Sequence, residues 1–141
     1  MTKIKVLFVC VHNSARSQMA EAFLNHHGKG KFEAESAGIE AGSLNPLVIE
    51  SMKEIGIDIS GKNTTDVFDL YKEGKLFNYV ITVCEKEASE KCPIFIGVTQ
   101  RYEWSFPDPS KLTGTNEEKL IEVNKIRDRI KIQVIEFINN H

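Results

Sequence analysis

The chain has 141 residues, of which 41% are hydrophobic and 27% are charged, and its formal net charge at pH 7 is -2. A chain of this length forms one domain with a sizeable core and needs no disulfide scaffold. Because binding to a phosphate backbone requires an excess of basic residues, this near-neutral charge argues against nucleic acid as a partner.

The cysteines are the first indication of chemistry. The N-terminal apolar run is too short for a signal peptide, and no stretch approaches the roughly 18 consecutive apolar residues of a membrane span. We therefore expect a cytoplasmic protein without a membrane partner. In that compartment Cys10, Cys84 and Cys92 are expected to be reduced thiols with catalytic or redox duties.

Two apolar runs in the first half of the chain predict buried strands. Ile4 to Val9 is rich in β-branched residues and ends at Cys10, which suits a strand covered on both faces. Helical spacing of apolar residues begins at Arg16, so the stretch between Cys10 and Arg16 is a strand-to-helix turn. A second strand is expected from Phe32 to Ala37, closed by a glycine.

Helices and strands continue to alternate through the rest of the chain. Asn45-Pro46 supplies an N-cap and a first-turn proline for a helix that stops at Gly56, and Thr64-Thr65-Asp66 can cap a short helix. The later elements are predicted as a third strand at Tyr79–Val83, a fourth at Ile94–Val98, a loop at 101–114 and an amphipathic C-terminal helix behind a Thr115/Glu118 capping box. This order predicts an α/β fold in three layers, with a four-stranded parallel sheet, helices on both faces, and one domain over residues 1–141.

The segment Cys10-Val11-His12-Asn13-Ser14-Ala15-Arg16 carries the strongest functional signal. In parallel sheets, ligands bind at the carboxyl edge of the strands, where this segment lies. Its length lets it wrap round one tetrahedral oxyanion, with loop amides turned inward and Arg16 donating two hydrogen bonds. The helix dipole and the guanidinium favour the Cys10 thiolate, a nucleophile toward phosphorus or arsenic, and Ser14 and Ser17 can each donate to it.

The spacing of Cys10 and Arg16 is weak support by itself, because it often arises by chance. Its place between a β-branched strand and an amphipathic helix makes it specific. The alternative is that Cys10 is a small buried residue at a strand end and Arg16 a solvated helix charge.

Asp108 is the predicted general acid. It lies in Phe106-Pro107-Asp108-Pro109, where the prolines stiffen the loop and can direct one carboxyl group toward a bound anion. On the tetrapeptide alone, an aspartate that starts a turn is the commoner explanation. The Cys10 loop is what favours the catalytic role.

Cys84 and Cys92 form a second cysteine pair. Cys84 ends the third predicted strand as Cys10 ends the first, which places both at one edge of the sheet. A helical connection would hold Cys84 and Cys92 about 12 Å apart, whereas a disulfide needs Cα atoms within roughly 7 Å. Bonding them requires residues 85 to 91 to unwind, which a charged segment that buries little can do at low cost. Two unrelated buried cysteines are the alternative, and no Cys-x2-Cys spacing supports a zinc site with His12.

Together these features resemble the thioredoxin-coupled arsenate reductases, which share the fold of the low-molecular-weight protein tyrosine phosphatases. The matching segments run from end to end: Cys10 to Ser17 with Gln18-Met19-Ala20-Glu21, Ser36 to Glu40, Asn45-Pro46, Asp58-Ile59-Ser60, Val83-Cys84, Cys92-Pro93-Ile94 and Trp104 to Pro109. Relative to the commonest family pattern, one residue is inserted near Asn63 and one between Cys84 and Cys92.

The resemblance implies a relay of thiols. Cys10 attacks arsenate, Cys84 then attacks Cys10 and releases arsenite, Cys92 attacks Cys84, and thioredoxin reduces the resulting Cys84–Cys92 disulfide. It also implies roles for the loop: Arg16 and the amides of Val11, His12, Asn13, Ser14 and Ala15 bind the oxyanion, Ser17 supports the thiolate, and Asp108 protonates the leaving oxygen. Phosphate and sulfate are expected to compete with arsenate.

No cofactor is implied as required, but some members of the family hold a potassium ion near the loop. The matching residues here are Asn13, Glu21, Ser36, Thr64 and Asp66.

Two other functions stay open on the sequence. A low-molecular-weight phosphotyrosine phosphatase needs only Cys10, Arg16 and Asp108, but Ser110 and Lys111 stand where such phosphatases usually carry aromatic residues. Weak phosphatase activity with an artificial aryl phosphate is nevertheless expected. The other alternative is a non-catalytic oxyanion-binding or redox-sensing module, which nothing appended to the domain supports.

Overall fold

The computed structural model describes residues 3–85, 90–93, 95 and 100–141. In that part of the chain, strands and helices alternate in the predicted order. The strands are β1 (Ile4–Cys10), β2 (Phe32–Gly38), β3 (Tyr79–Thr82) and β4 (Gln100–Glu103); the helices are α1 (Arg16–His27), α2 (Pro46–Glu54), α3 (Val67–Lys72) and α4 (Asn116–Asn140), with a 3-10 turn at Pro109–Lys111.

The strands form one parallel sheet in the order β2-β1-β3-β4. Cys10 pairs with Gly38 at the end of β1, and Val9 pairs with Thr82 of β3. The chain leaves β1 toward one side of the sheet and later returns to its other side, so the loop after β1 lies where the strand order reverses. Open α/β sheets bind their ligands at such a point, and the predicted fold class is confirmed.

Each face of the sheet has its own apolar core, because successive side chains of a strand point to opposite faces. Val6, Phe8 and Cys10 of β1 pack with residues of α1, α2 and α4. Leu7 and Val9 pack on the other side with α3. We call these the α1 face and the α3 face, and the catalytic cysteine predicted from the sequence lies on the α1 face.

Local capping chemistry sets the helix starts as predicted. The Asn45 side chain accepts a hydrogen bond from the backbone N–H of Leu47 and begins α2. Asp66 caps α3 in the same way, and Thr115 and Glu118 form a reciprocal capping box at the start of α4. Within the ranges that the structure describes, no helix is both long and apolar enough to cross a membrane.

The boundaries of the later strands differ from the prediction. β3 ends at Thr82 rather than Val83, and β4 lies at Gln100–Glu103, of which all but Gln100 falls in the stretch predicted as a loop. Among the described residues β4 pairs only with β3. It is therefore an edge strand whose polar residues need no burial on both faces, and apolar periodicity does not reveal it. The strand predicted at Ile94–Val98 falls on 94 and 96–98, which lie outside the described residues.

Candidate active site

The loop after β1 is held in place by its carbonyl groups. The carbonyl oxygens of Cys10, Val11, His12 and Ser14 accept hydrogen bonds of 2.7 to 3.0 Å from the N–H groups of Ile39, Glu40, Gly42 and Asn45. The N–H groups of His12, Ser14 and Ala15, by contrast, meet no acceptor among the residues described. Carbonyl groups bound on one side and unpaired N–H groups together make a cradle for an anion at the start of α1.

Gly38 lets this loop lie against β2. A Cβ atom there would stand 2.8 Å from both the Asn13 nitrogen and the His12 carbonyl carbon, which are backbone atoms and cannot rotate away. The sequence pattern indicates only that Gly38 ends a strand. A glycine paired with the residue that begins a Cys-x5-Arg loop is the signal that would have identified it.

Cys10 accepts two hydrogen bonds at its sulfur. Asn13, with a positive φ of 56°, directs its backbone N–H to Cys10 Sγ at 3.2 Å, and Ser17 Oγ lies 2.8 Å from that sulfur. Asn13 Nδ2 donates to Ser17 Oγ at 2.8 Å, so the Ser17 hydroxyl hydrogen is free to donate to sulfur. These two contacts fix the position of the Cys10 sulfur, while the expected bond from Ser14 is not formed.

Arg16 is buried beside the cradle, with only 3% of its side chain exposed. Its Nη1 donates to the Phe106 carbonyl oxygen at 3.1 Å and to Glu85 Oε1 at 3.2 Å, and its Nη2 lies 3.7 Å from Asp108 Oδ2. The guanidinium is therefore compensated by two carboxylates in the structure. The sequence places Glu85 in a charged segment that buries little, and it does not predict this contact with Arg16.

Asp108 starts a turn and also faces the guanidinium at the cradle. Its Oδ1 accepts hydrogen bonds from the Ser110 backbone N–H at 2.9 Å and from Ser110 Oγ at 2.8 Å, which begins the 3-10 turn. Its Oδ2 faces Arg16. Burial by itself would raise the pKa of Asp108, but the Ser110 hydrogen bonds and the charges of Arg16 and Lys111 outweigh it and hold that pKa below its ordinary value.

All three cysteines are free thiols, but they do not lie on one side of the sheet. Cys84 is buried in the α1-face core together with Cys10, and its sulfur lies 4.0 Å from the Val9 carbonyl oxygen. Cys92 is buried in the α3-face core with Phe95. Cys10 and Cys84 thus share one face of the sheet, whereas Cys92 lies on the opposite face. Residues 86–89 of the segment expected to unwind lie outside the described residues.

A pH dependence of stability follows from the buried thiols. Burial raises the pKa of Cys84 and of Cys92 from 9.0 to about 11, with the nearby Cys10 contributing for Cys84. Between these values the unfolded chain loses protons that the folded chain keeps, so the free energy of unfolding should fall as pH rises from about 9 to about 11, by on the order of 2 kcal/mol per thiol. Urea unfolding of reduced protein should show this fall, and it should be smaller in Cys84→Ser and in Cys92→Ser. An unchanged pH slope in both variants would contradict the assignment.

The residues expected to hold potassium are already bound to protein groups. Ser36 Oγ donates to Glu21 Oε1 at 3.0 Å, and the other oxygen of Glu21 pairs with the Lys62 ammonium. Asn13 Oδ1 accepts hydrogen bonds from Gln18 Nε2 at 3.2 Å and from the Thr65 N–H at 2.9 Å. Thr64 Oγ1 donates to the Gly42 carbonyl oxygen, and Asp66 Oδ1 is the cap of α3. These groups do not fit a potassium ion, because a lysine already supplies the positive charge.

Comparison with known proteins agrees with this geometry. The family model of the low-molecular-weight phosphotyrosine protein phosphatases matches residues 5–140. Arsenate reductases of Shouchella clausii and Bacillus subtilis are each 40% identical to the chain; the first match covers 97% of the chain and 96% of the relative, and the second covers 94% and 93%.

Solved structures give the same grouping. An arsenate reductase in the phosphate-binding state has a TM-score of 0.75 and 32% identity, over 97% of this chain and 98% of the other. A thioredoxin-dependent arsenate reductase of Corynebacterium glutamicum has a TM-score of 0.66 and 28% identity, over 94% of this chain and 62% of that one. The low-molecular-weight tyrosine phosphatase of T. tengcongensis, at 22% identity over 99% and 100% of the two chains, shares the fold with a TM-score of 0.79. The chain therefore belongs to the low-molecular-weight phosphotyrosine protein phosphatase family and, within it, to the arsenate reductases.

Proposed function

We propose that this protein reduces arsenate to arsenite through Cys10, Cys84 and Cys92, with thioredoxin as the electron donor. The observation that carries the proposal is the burial of Cys84 beside Cys10 on the α1 face, at the anion cradle. A phosphatase needs no second thiol there, whereas a reductase does. The arsenate reductase relatives support the substrate, and the C. glutamicum structure supports the donor.

Binding depends on the charge of the oxyanion. Arsenate has the shape and charge of phosphate, and the unpaired loop N–H groups with the Arg16 guanidinium match its oxygens. Phosphate and sulfate should compete for the same cradle. We place the reaction in the cytoplasm, where the free thiols of this chain stay reduced.

In the first step the Cys10 thiolate attacks arsenic and an oxygen leaves as water. Asp108 is the proposed proton donor, since its Oδ2 faces Arg16 at the cradle. In the empty site its pKa is held below the ordinary value. A bound oxyanion brings negative charge next to the carboxylate and draws on the same guanidinium, which raises the pKa of Asp108 and favours the protonated form that the step requires.

In the second step Cys84 attacks the sulfur of Cys10. The sulfur–arsenic bond breaks, its electron pair stays on arsenic, and arsenite leaves while Cys10 and Cys84 form a disulfide. The thiol pair thus gives up two electrons, and these electrons reduce arsenic from arsenate to arsenite. Burial raises the pKa of Cys84 to about 11, so loss of its proton is a demanding part of this step, and the nearby Arg16 charge opposes that effect.

In the third step Cys92 attacks Cys84 and returns Cys10 to the thiolate. Since Cys92 is buried in the α3-face core, it has to leave that core before its sulfur can reach Cys84. The disulfide of Cys84 and Cys92 is then reduced by thioredoxin, whose dithiol supplies the two electrons.

A single-turnover experiment tests the proposal. Reduced protein mixed with one equivalent of arsenate should release arsenite and lose a pair of free thiols for each arsenite formed. Arsenate binding without loss of thiols would reject the reductase and leave an oxyanion sensor, or a phosphatase if phosphotyrosine is hydrolysed efficiently. Ser110 and Lys111, both exposed beside Asp108, offer no aromatic wall for a phosphotyrosine ring.

We also propose that the enzyme needs no potassium, because Lys62 pairs with Glu21. Thermal unfolding should be the same in potassium and in sodium chloride. In Lys62→Gln one Glu21 oxygen loses its cation, and potassium should then stabilise the protein by up to about 1 kcal/mol, a small effect because 45% of the Lys62 side chain is exposed. Lys75→Gln, which removes the exposed pair with Glu35, is the matched control. A preference of the unchanged protein for potassium would contradict this.

A further inference from the structure

Glu85 is next to Cys84 in the sequence and contacts Arg16 at the anion cradle. It directly follows Cys84, and its Oε1 lies 3.2 Å from Nη1 of Arg16, the guanidinium that faces the oxyanion. Of its side chain 45% is exposed, against 3% for Arg16, so the carboxylate reaches from the surface to a buried charge. None of the chemical steps described above uses this carboxylate.

We propose that Glu85 is an internal competitor of the substrate: its carboxylate occupies Arg16 in the empty site and has to be displaced by the incoming oxyanion. This inference rests on the proposed oxyanion site, and it makes Glu85 a positioning residue that sets affinity and selectivity rather than a reacting group.

The hydrogen bonds of Arg16 favour such a displacement. Nη1 already donates to the Phe106 carbonyl oxygen at 3.1 Å as well as to Glu85, so both of its N–H groups are in use. An oxyanion bound end-on by Nη1 and Nη2 must replace one of these acceptors, and one bound through Nε and Nη2 still brings its negative charge next to the Glu85 carboxylate. The Phe106 carbonyl is part of the backbone, whereas the Glu85 carboxylate is on a flexible side chain open to water.

Asp108 is less easily displaced from Arg16 than Glu85 is. Its Oδ1 is fixed by two hydrogen bonds from Ser110, and only 14% of its side chain is exposed. Its Oδ2 is also farther from the guanidinium, at 3.7 Å. Because a buried guanidinium needs a compensating negative charge in every state, we assign Glu85 as its partner in the empty site and the oxyanion as its partner in the complex.

Competition between Glu85 and the oxyanion for Arg16 allows the site to bind arsenate but not arsenite. Arsenate is an anion at neutral pH and can replace a carboxylate on Arg16, whereas arsenite is the uncharged acid and cannot. Once arsenic is reduced, Glu85 returns to Arg16 and the product leaves.

Phosphate binding provides the test, because inorganic phosphate is not reduced. Calorimetric titration of the reduced protein at low salt should give a dissociation constant about three- to tenfold lower for Glu85→Gln than for the unchanged chain. Glu85→Asp keeps the charge but is too short to make the same contact, and it should bind phosphate more tightly than the unchanged chain and more weakly than Glu85→Gln. The KM for arsenate should fall in Glu85→Gln by the same factor as the phosphate constant, with no rise in kcat.

The matched control is Glu90→Gln, which removes one exposed carboxylate from the same part of the chain. Its phosphate affinity should stay close to that of the unchanged protein. Unchanged or weaker phosphate binding in Glu85→Gln, or an equal gain in Glu90→Gln, would overturn the inference. A protein that binds phosphate as predicted but releases no arsenite would instead refute the reductase, so the two failures are distinct.

Discussion

Cys84→Ser and Cys92→Ser should both stop continuous, thioredoxin-linked arsenate reduction, with losses of at least about a thousandfold, but at different steps. Cys84 is buried with Cys10 at the cradle, so its removal leaves the arsenic adduct without a thiol to attack it. Cys92 lies on the α3 face and acts only afterwards. Cys84→Ser should therefore release no arsenite in a single turnover, whereas Cys92→Ser should release arsenite once and stop.

Mass spectrometry of disulfide linkages after one equivalent of arsenate distinguishes the variants. The Cys92→Ser protein should hold a Cys10–Cys84 disulfide, and the unchanged protein without thioredoxin should hold a Cys84–Cys92 disulfide. Hydrolysis of an artificial aryl phosphate, which needs neither distal thiol, checks that the cradle is intact, and Cys10→Ser should lose both activities. If Cys92→Ser turned over normally with thioredoxin, the relay would end at Cys84.

The order of these steps follows from where the sheet places each sulfur. Cys10 ends β1, and Cys84 lies just beyond the neighbouring strand β3 on the same face, so neither sulfur has to change face before the two react. Cys92 must give up its buried contacts on the other face, and the Cys10–Cys84 disulfide therefore has to form first. Because Cys92 has to leave its core first, we expect its attack on Cys84 to be slow and to follow the release of arsenite.

Features encoded by adjacent residues could be predicted from the sequence. The Cys10 turn, the Asn45 cap and the Thr115 capping box each depend on residues a few positions apart, and the structure contains all of them. β4 was misplaced because an edge strand has a neighbour on one side only, so pairing with β3 determines it rather than an apolar pattern.

Contacts between distant residues could not be predicted in this way. Arg16 and Glu85 are 69 positions apart, and nothing in the local pattern of either indicates the other. The same holds for Lys62 and Glu21, so the sequence did not indicate that a lysine pairs with this carboxylate at the site where the resemblance allows a potassium ion. The sequence also does not indicate on which face of the sheet Cys92 lies, because the segment that precedes it has no apolar periodicity.

Gly38→Ala is expected to distort the cradle although it replaces none of the residues that react. The new Cβ would lie 2.8 Å from the Asn13 nitrogen and 2.9 Å from the Val11 carbonyl oxygen, so the loop has to move. That movement breaks the Asn13 contact with the Cys10 sulfur and turns the amides away from the oxyanion. We expect a loss of about 1–3 kcal/mol in the free energy of unfolding and at least about a hundredfold in kcat/KM for arsenate.

Gly42→Ala is the control for this change, since its Cβ would stand 3.4 Å from the His12 side chain, an ordinary contact on the same loop. Urea unfolding and phosphate titration should show little change in Gly42→Ala and clear losses in Gly38→Ala. Normal phosphate affinity in Gly38→Ala would mean that the loop tolerates displacement, and anion binding would then have to depend on the Arg16 guanidinium alone. A loss confined to Gly38→Ala would instead establish that the amides, held by the close approach of β2, contribute the larger part of the affinity.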